Sequence, residues 1–288
     1  MHNARGDQAA GLRRLCGGLP RQVINIAAAN RGAGRTTFVI GLALALAALG
    51  RRVLVIDENS GIGNINDRLG LGLRYDLWHV LCDGRRWTEV AQPAHPRISV
   101  LPAARAARMW RSVPSRSRAA ALAQIAAAAD VVLVDAAPGS AGGAWEIAGE
   151  ARHWVLLPTG AAAVTAAYAL IKRIARSDDR RIEVVVAGAR SAAEGAAIHA
   201  NLAAVARRYL KLTPALSGVW AADHAAAAAL CAGRGISIVD AEHPLARCGA
   251  DFASRLVGVT AESMATVVEP WLTGSRPPKL AAAAWGMP

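Results

Sequence analysis

The chain has 288 residues, of which 53% are hydrophobic and 19% charged, and its formal net charge is +12. This composition excludes an intrinsically disordered chain, because the apolar content suffices for a core and the charge is moderate. Four widely separated cysteines exclude a disulfide scaffold. No secretory leader is apparent, and no uninterrupted apolar stretch is long enough to span a bilayer. We therefore expect a cytoplasmic protein.

Apolar runs typical of buried strands alternate with helical segments along the chain. Strands are predicted at 23–28, 52–57, 98–101, 131–135, 153–157, 182–187 and 217–220. Helices are predicted at 36–49, 116–129, 162–176, 192–209 and 223–231. Continuous rather than alternating apolar strands indicate a parallel sheet buried on both faces. The pattern thus predicts an α/β fold with a doubly wound, mostly parallel sheet and helices on both faces.

We expect three parts: an N-terminal helical segment at 1–20, one α/β domain at 21–273 and a loose tail at 274–288. No internal repeat or linker divides the middle part. Asp7 is suited to cap a short N-terminal helix that carries Ala9 and Leu12 near one face. The end of the tail, from Leu280, follows two prolines and lacks the basic face of an interfacial helix, so we expect weak or no membrane binding of its own.

A glycine-containing turn lies between the first predicted strand and helix, where a phosphate-binding loop belongs. Glycines there let backbone N–H groups close around phosphate, and the helix N-terminus favours negative charge. The usual pattern, Gly-x4-Gly-Lys-Ser/Thr, is met only in part, because Ala29 replaces the first glycine and Arg35 the lysine. The expected phosphate-binding residues are Gly32, Ala33, Gly34, Arg35, Thr36 and Thr37.

Two aspartates, Asp57 and Asp135, end apolar strands and are expected at the same edge of the sheet. Carboxylates beside a phosphate loop hold Mg²⁺ directly or through water, so these residues and Thr36 are candidate Mg²⁺ ligands. Each aspartate alone could equally be a helix cap or a turn residue, and the loop alone could be an ordinary glycine turn. Together they predict a nucleotide site with Mg²⁺.

Three segments carry a resemblance to a known family. Residues 53–66, followed by Leu69-Gly-Leu71, resemble the first switch region of the MinD/ParA family of P-loop ATPases. Residues 167–172 and 190–195 are similar to the flagellar branch of that family, called FlhG or FleN. The run from Asp7 to Arg13 fits the Asp-Gln-Ala-x-x-Leu-Arg pattern of this branch. The resemblance extends from residue 7 to about residue 256 and implies a MinD-like fold.

The resemblance also implies partners. In the flagellar branch the N-terminal segment binds the GTPase FlhF and stimulates its hydrolysis of GTP, with a role for Gln8 at the phosphates or the attacking water. The residues that would make this contact are Asp7, Gln8, Ala9, Leu12 and Arg13. The implied function is control of flagellar number and placement, with recruitment to the inner face of the cell membrane at the pole.

Further partners implied by the resemblance are a flagellar transcriptional regulator or a switch component. Nucleic acid is not expected, because no recognition motif accompanies the basic charge. Without the resemblance, a solvated helix would be the simpler interpretation of the N-terminal segment.

The ATP site departs from the family pattern at several positions. Asn30 replaces a lysine that reaches across a nucleotide-bound dimer, Arg35 replaces the phosphate-binding lysine, and Asn59 replaces a switch carboxylate. Ala187 and Ala221 stand near two base-binding positions. Each such electrostatic contact contributes roughly 100- to 1,000-fold in rate. We therefore expect a slow or inactive ATPase that binds ATP and Mg²⁺ weakly or not at all, and an ATP-dependent homodimer is left open.

Two alternatives to the regulator remain. One is an active ParA/MinD-type ATPase that positions DNA or a protein complex. The other is a relic of such an enzyme that has lost its function.

Overall fold

The computed structural model describes residues 22–138, 151–175, 181–221, 224–231 and 243–258. The predicted N-terminal segment (1–20) and C-terminal tail (274–288) lie outside these ranges, and so do the five predicted partner-binding residues. Within the described ranges, no helix combines the length and the apolar character needed to cross a bilayer.

The described residues form one eight-stranded sheet. Its strands are β1 (Gln22–Ala28), β2 (Val53–Asp57), β3 (Gln92–His95), β4 (Ile98–Pro102), β5 (Val131–Asp135), β6 (Arg152–Pro158), β7 (Ile182–Ala187) and β8 (Ala215–Trp220). Their order is β3-β4-β2-β5-β1-β6-β7-β8, and every neighbouring pair is parallel except β3 with β4. This arrangement confirms the predicted doubly wound, mostly parallel sheet. The antiparallel edge strand β3 was not predicted.

The helices connect these strands. They are α1 (Arg35–Ala48), α2 (Ile65–Leu69), α3 (Leu77–Cys82), α4 (Trp87–Val90), α5 (Ala104–Arg108), α6 (Ser115–Ala128), α7 (Ala161–Ile174), α8 (Ala192–Leu210), α9 (His224–Cys231) and α10 (Pro244–Val257). The five predicted helices correspond to α1 and to α6–α9, with bounds that agree within two residues. Sequence analysis did not identify the short helices α2–α5 or the longer α10.

Both faces of the sheet are buried, as the side chains of β2 show. Val53 and Val55 belong to the core cluster around α1, whereas Leu54 and Ile56 belong to a second cluster on the opposite face. This alternation follows from the two-residue period of a strand. Helix α1 is buried along nearly its whole length, which explains why its sequence is apolar on all sides.

Helix α1 is held by an aromatic cluster that contains both phenylalanines of the chain. The ring of Phe38 in α1 lies 5.1 Å from Trp220 and 5.2 Å from Phe252 of α10, centroid to centroid, in edge-on geometry. Trp154 of β6 completes the cluster at 6.0 Å from Phe38. Such edge-to-face pairs add stability beyond the burial of area. The cluster therefore fixes the start of α1, and with it the loop that precedes α1.

Candidate functional site

The predicted phosphate-binding loop joins β1 to α1 at the carboxyl edge of the sheet. Gly32 and Gly34 have φ angles of +78° and +79°, in the left-handed region that glycine adopts without strain. The first hydrogen bond of α1 runs from Phe38 N to Gly34 O, at 2.9 Å. The N–H groups of the first helical residues therefore remain outside the helical ladder. This backbone geometry is suited to binding an anion.

An open cleft of about 140 Å³ lies over the loop. One wall consists of residues 30–37, which include all six predicted phosphate-binding residues and Asn30. The opposite wall is formed by the loop after β2, with Asn59, Ile62 and Gly63, and by Arg68 of α2. Neither Ala187 nor Ala221, which stand near the family's base-binding positions, is part of this lining.

The two predicted Mg²⁺-binding aspartates are direct neighbours. Strands β2 and β5 pair in parallel so that Asp57 lies opposite Asp135. Both side chains are buried, with 1% and 0% of their surface exposed. The hydroxyl of Thr36 donates a hydrogen bond to Asp135 Oδ2 at 2.9 Å. The structure thus brings the three candidate metal ligands to one edge of the sheet.

The side chain of Arg35 ends on Asp135. Its Nε donates to Asp135 Oδ1 in a buried ion pair, and only 7% of Arg35 is exposed. Both carboxylate oxygens of Asp135 therefore accept hydrogen bonds from the first two residues of α1. A guanidinium in this position neutralises the charge that a metal ion would otherwise balance.

Asp57 organises the loop that follows β2. Its Oδ1 accepts from Asn59 N at 3.0 Å, and its Oδ2 accepts from Ile65 N at 2.8 Å and from Asn66 Nδ2 at 3.2 Å. Burial, together with the negative charge of Asp135, raises the pKa of Asp57 to about 7, against the opposing effect of the two backbone hydrogen bonds and of Arg35. Asp57 is therefore suited to hold the loop after β2 in place, because both of its carboxylate oxygens accept hydrogen bonds from the residues that follow that strand.

Asn59 also contributes to the loop geometry. Its Oδ1 accepts from Gly61 N at 3.2 Å, which closes a local turn. A neutral amide held in this way supplies no carboxylate to activate a water molecule.

As arranged here, the two candidate carboxylates do not fit Mg²⁺. The oxygens of Asp57 and Asp135 are engaged within the protein, and no acidic side chain of the described residues lines the cleft. Across the described ranges, no group of three or more His, Cys, Asp or Glu side chains could hold a metal ion. Octahedral Mg²⁺ requires oxygen ligands that face the ion, and these face protein donors instead.

Sequence reasoning missed two residues at the site. Arg68 lines the cleft and donates from Nε to Gly63 O at 2.6 Å. Glu58 is buried and accepts from Ala137 N at 3.0 Å, which links the loop after β2 to the loop after β5. Glu58 could have been noticed because it directly follows a buried strand, but no motif indicates Arg68.

No protein-family model matches the chain. Among solved structures, the MinC:MinD cell division protein complex of Aquifex aeolicus has a TM-score of 0.63 at 23% identity and covers 83% of this chain and 96% of its own. A ParA family ATPase from Chlorobium tepidum TLS has a TM-score of 0.62 at 17% identity and covers 82% and 98%. The septum site-determining protein MinD of Pyrococcus horikoshii OT3, complexed with Mg-ADP, has a TM-score of 0.60 at 16% identity and covers 82% and 96%. These similarities show the MinD/ParA P-loop fold.

A curated relative defines the branch. The antiactivator FleN of Pseudomonas aeruginosa is 31% identical to this chain over 208 residues, which cover 69% of the chain and 73% of the relative. This degree of similarity confirms the flagellar branch that residues 167–172, residues 190–195 and the N-terminal pattern predicted. The chain belongs to the FlhG/FleN-type regulators of the MinD/ParA family.

Proposed function

We propose that this chain is an FlhG-like regulator of flagellar number and placement whose nucleotide site no longer hydrolyses ATP efficiently. The observation that supports the second part is the buried pair between Arg35 and Asp135, at the junction of the phosphate loop and the sheet. The relation to an antiactivator supports the first part. In this proposal the chain acts by binding other proteins rather than by turnover.

The principal partner in this proposal is an FlhF-like GTPase. The N-terminal segment engages it through Asp7, Gln8, Ala9, Leu12 and Arg13, and Gln8 is presented to the GTP site. An activator protein, such as a flagellar transcriptional regulator, is a second partner that the designation of the relative supports. Recruitment to the inner face of the cell membrane at the pole then depends on partners, because the C-terminal tail lacks a basic amphipathic face.

Three features of the site support slow or absent turnover. The cation at the position of the phosphate-binding lysine is paired with Asp135, Asn59 supplies no carboxylate, and Asp57 is used to hold the loop. Losing such contacts lowers rates by roughly 100-fold or more each. Weak binding of ATP follows from the same features. A homodimer that requires ATP is then not needed for the regulatory role.

An active ParA/MinD-type ATPase, which positions DNA or a protein complex, is the second candidate. The left-handed glycines of the loop and the bond between Thr36 and Asp135 favour it, because both are parts of a working phosphate site. The two candidates differ in where the function resides. The regulator needs its N-terminal segment, whereas the ATPase needs Thr36 and the loop.

The test is GTP hydrolysis by the cognate FlhF with the purified full chain, with and without Mg-ATP. We expect stimulation that is equal in both conditions and that is lost in the Gln8→Ala variant and on deletion of residues 1–15. A peptide of residues 4–15 should stimulate as well, while a scrambled peptide of equal composition should not. Stimulation that requires Mg-ATP, or none at all, would refute the proposal.

A further inference from the structure

A second open cavity lies between the loop after β2 and the helices α3 and α5. Its volume is about 310 Å³, more than twice that of the cleft over the phosphate loop. Of the described residues, only Asn59 lines both spaces. The wall of the second cavity is completed by residues 73–76 and His79 at the start of α3, and by residues 102–108 at the start of α5. This cavity is therefore a separate feature of the surface, beside the nucleotide site rather than within it.

Three arginines, Arg74, Arg105 and Arg108, line this cavity. All three are exposed, and within the described ranges none of them forms an ion pair. Other exposed arginines of the chain, such as Arg86 and Arg190, do pair with a neighbouring glutamate. The cavity thus gathers three cationic side chains whose charge the described part of the chain leaves to a ligand.

The acidic side chains in the same wall are used by the backbone. Asp76 Oδ1 accepts hydrogen bonds from Trp78 N at 2.9 Å and from Ala106 N at 3.0 Å, and Asp76 Oδ2 accepts from Arg105 N at 2.9 Å. Asp76 therefore ties the start of α3 to the start of α5. The carboxylate of Asp57 holds the loop after β2 in the same manner. The acids fix the shape of the cavity, while the guanidinium groups remain exposed.

Large apolar side chains accompany the arginines. Leu73, which lines the cavity, is 54% exposed, and Met109, which follows Arg108, is 43% exposed. The guanidinium of Arg105 lies 5.0 Å from the ring centre of the partly exposed Trp78. Arginine, methionine and tryptophan are the residue types enriched where proteins bind one another. A small free anion would use the charge of this surface but not its exposed apolar side chains, so the composition favours a protein segment.

We propose that this surface, which consists of Leu73, Arg74, Arg105, Arg108 and Met109, docks an acidic segment of a partner protein. In that segment Asp or Glu side chains flank a large apolar side chain. The apolar side chain packs in the cavity against Leu73, and the carboxylates pair with the guanidinium groups, whose planar fork suits them. The inference goes beyond the proposed function, because this surface lies outside both the N-terminal segment and the nucleotide cleft.

Selection from a library of random peptides, displayed on phage, tests the chemistry of the ligand without assuming its sequence. The full chain is immobilised, and selected peptides are synthesised with a fluorescent label for anisotropy titration. We expect the selected peptides to be enriched in Asp and Glu next to Leu, Ile, Phe or Trp. Their affinity should fall as salt is added, because charged side chains at the surface contribute to it.

Variants then assign binding to this surface. Arg105→Ala and Arg108→Ala should each weaken binding by roughly threefold or more, and the Arg105→Glu, Arg108→Glu double variant by roughly 100-fold or more. A peptide in which lysine replaces each acid should bind the double variant better than the wild type. Arg207→Ala, which removes an exposed arginine on α8, should change affinity by less than about twofold. Urea unfolding of each variant checks that the fold is retained.

The inference would be overturned by a selection that yields no peptide or none enriched in acids, or by equal affinity of the wild type and the double variant. Citrate that binds as tightly as the peptide and competes with it would instead assign the site to small anions. Self-association of the wild type that the double variant loses would assign it to a second copy of this chain. Stimulation of FlhF by the same preparations is measured in parallel, and its absence would count against the proposed function alone.

Discussion

Arg35 and Asp135 form an ion pair inside the protein, at the junction of the phosphate loop and the sheet. Both partners are buried, and the second oxygen of Asp135 accepts from Thr36. A loop that usually directs a cation toward phosphate here directs it toward the acidic residue of the metal site. The substitution of a lysine by arginine thus changes which group the cation binds, and it also changes the shape of the cationic group.

Removal of this pair from one side should destabilise the fold. In Arg35→Ala the carboxylate of Asp135 stays buried without its counterion, so we expect a loss of about 3–5 kcal/mol in the free energy of unfolding by urea at neutral pH. The Arg35→Met, Asp135→Asn double variant should recover most of this loss, because no unpaired charge remains. A loss below about 0.5 kcal/mol, the range of the Arg207→Ala control, would contradict the assignment of a buried pair.

Asp57 should make stability depend on pH. Its pKa of about 7 in the folded protein exceeds 3.8, the ordinary value expected on unfolding. The folded state therefore holds an extra proton between these pH values, and its contribution to stability is complete below about pH 4 and lost as the pH rises through 7.

Asp57→Asn should remove this dependence. Between pH 5 and 8 the free energy of unfolding of the wild type should fall by roughly 2–3 kcal/mol relative to that of the variant. Urea titrations at four pH values measure the difference. Parallel pH profiles for the two proteins would show that Asp57 does not titrate in this range.

The contact between α1 and α10 should not accept a methyl group. A Cβ on Gly249 would lie 2.7 Å from Gly41 O and 3.1 Å from Leu42 N, and backbone atoms cannot move aside as side chains do. Although alanine favours a helix, we expect Gly249→Ala to lose about 1–3 kcal/mol in urea unfolding. Gly72→Ala is the control, since a Cβ there meets nothing within 4 Å. Equal stability of the two variants would contradict this packing.

Much of the fold could be predicted from the sequence because most of its strands are continuous apolar runs, such as Val131–Asp135. Such runs are typical of strands that are buried on both faces of a parallel sheet. The edge strand β3 escapes this criterion, since Pro93 interrupts a short polar segment that pairs on one side only. Helix α10 carries a usable signal in Pro244 at its first turn and an apolar stripe through Leu245 and Phe252.

At the site, the positions were predictable and the contacts were not. Strand ends placed Asp57 and Asp135 at one edge, because parallel strands share an edge. The sequence shows that residue 35 is arginine rather than lysine. The contact of its guanidinium group with Asp135, however, is decided by packing and cannot be read from the sequence. Arg68 comes from helix α2, far along the chain from Arg35, and its position depends on the turn that Asn59 and Asp57 fix.

Phosphate release from Mg-ATP by the purified chain tests the loss of nucleotide chemistry most directly. Thr36→Ala serves as the background, because it removes the loop hydroxyl that a working site needs. We predict that the wild type and Thr36→Ala release phosphate at the same rate, near that of buffer. A wild-type rate roughly tenfold or more above that of Thr36→Ala would contradict the account and favour an active ParA/MinD-type ATPase.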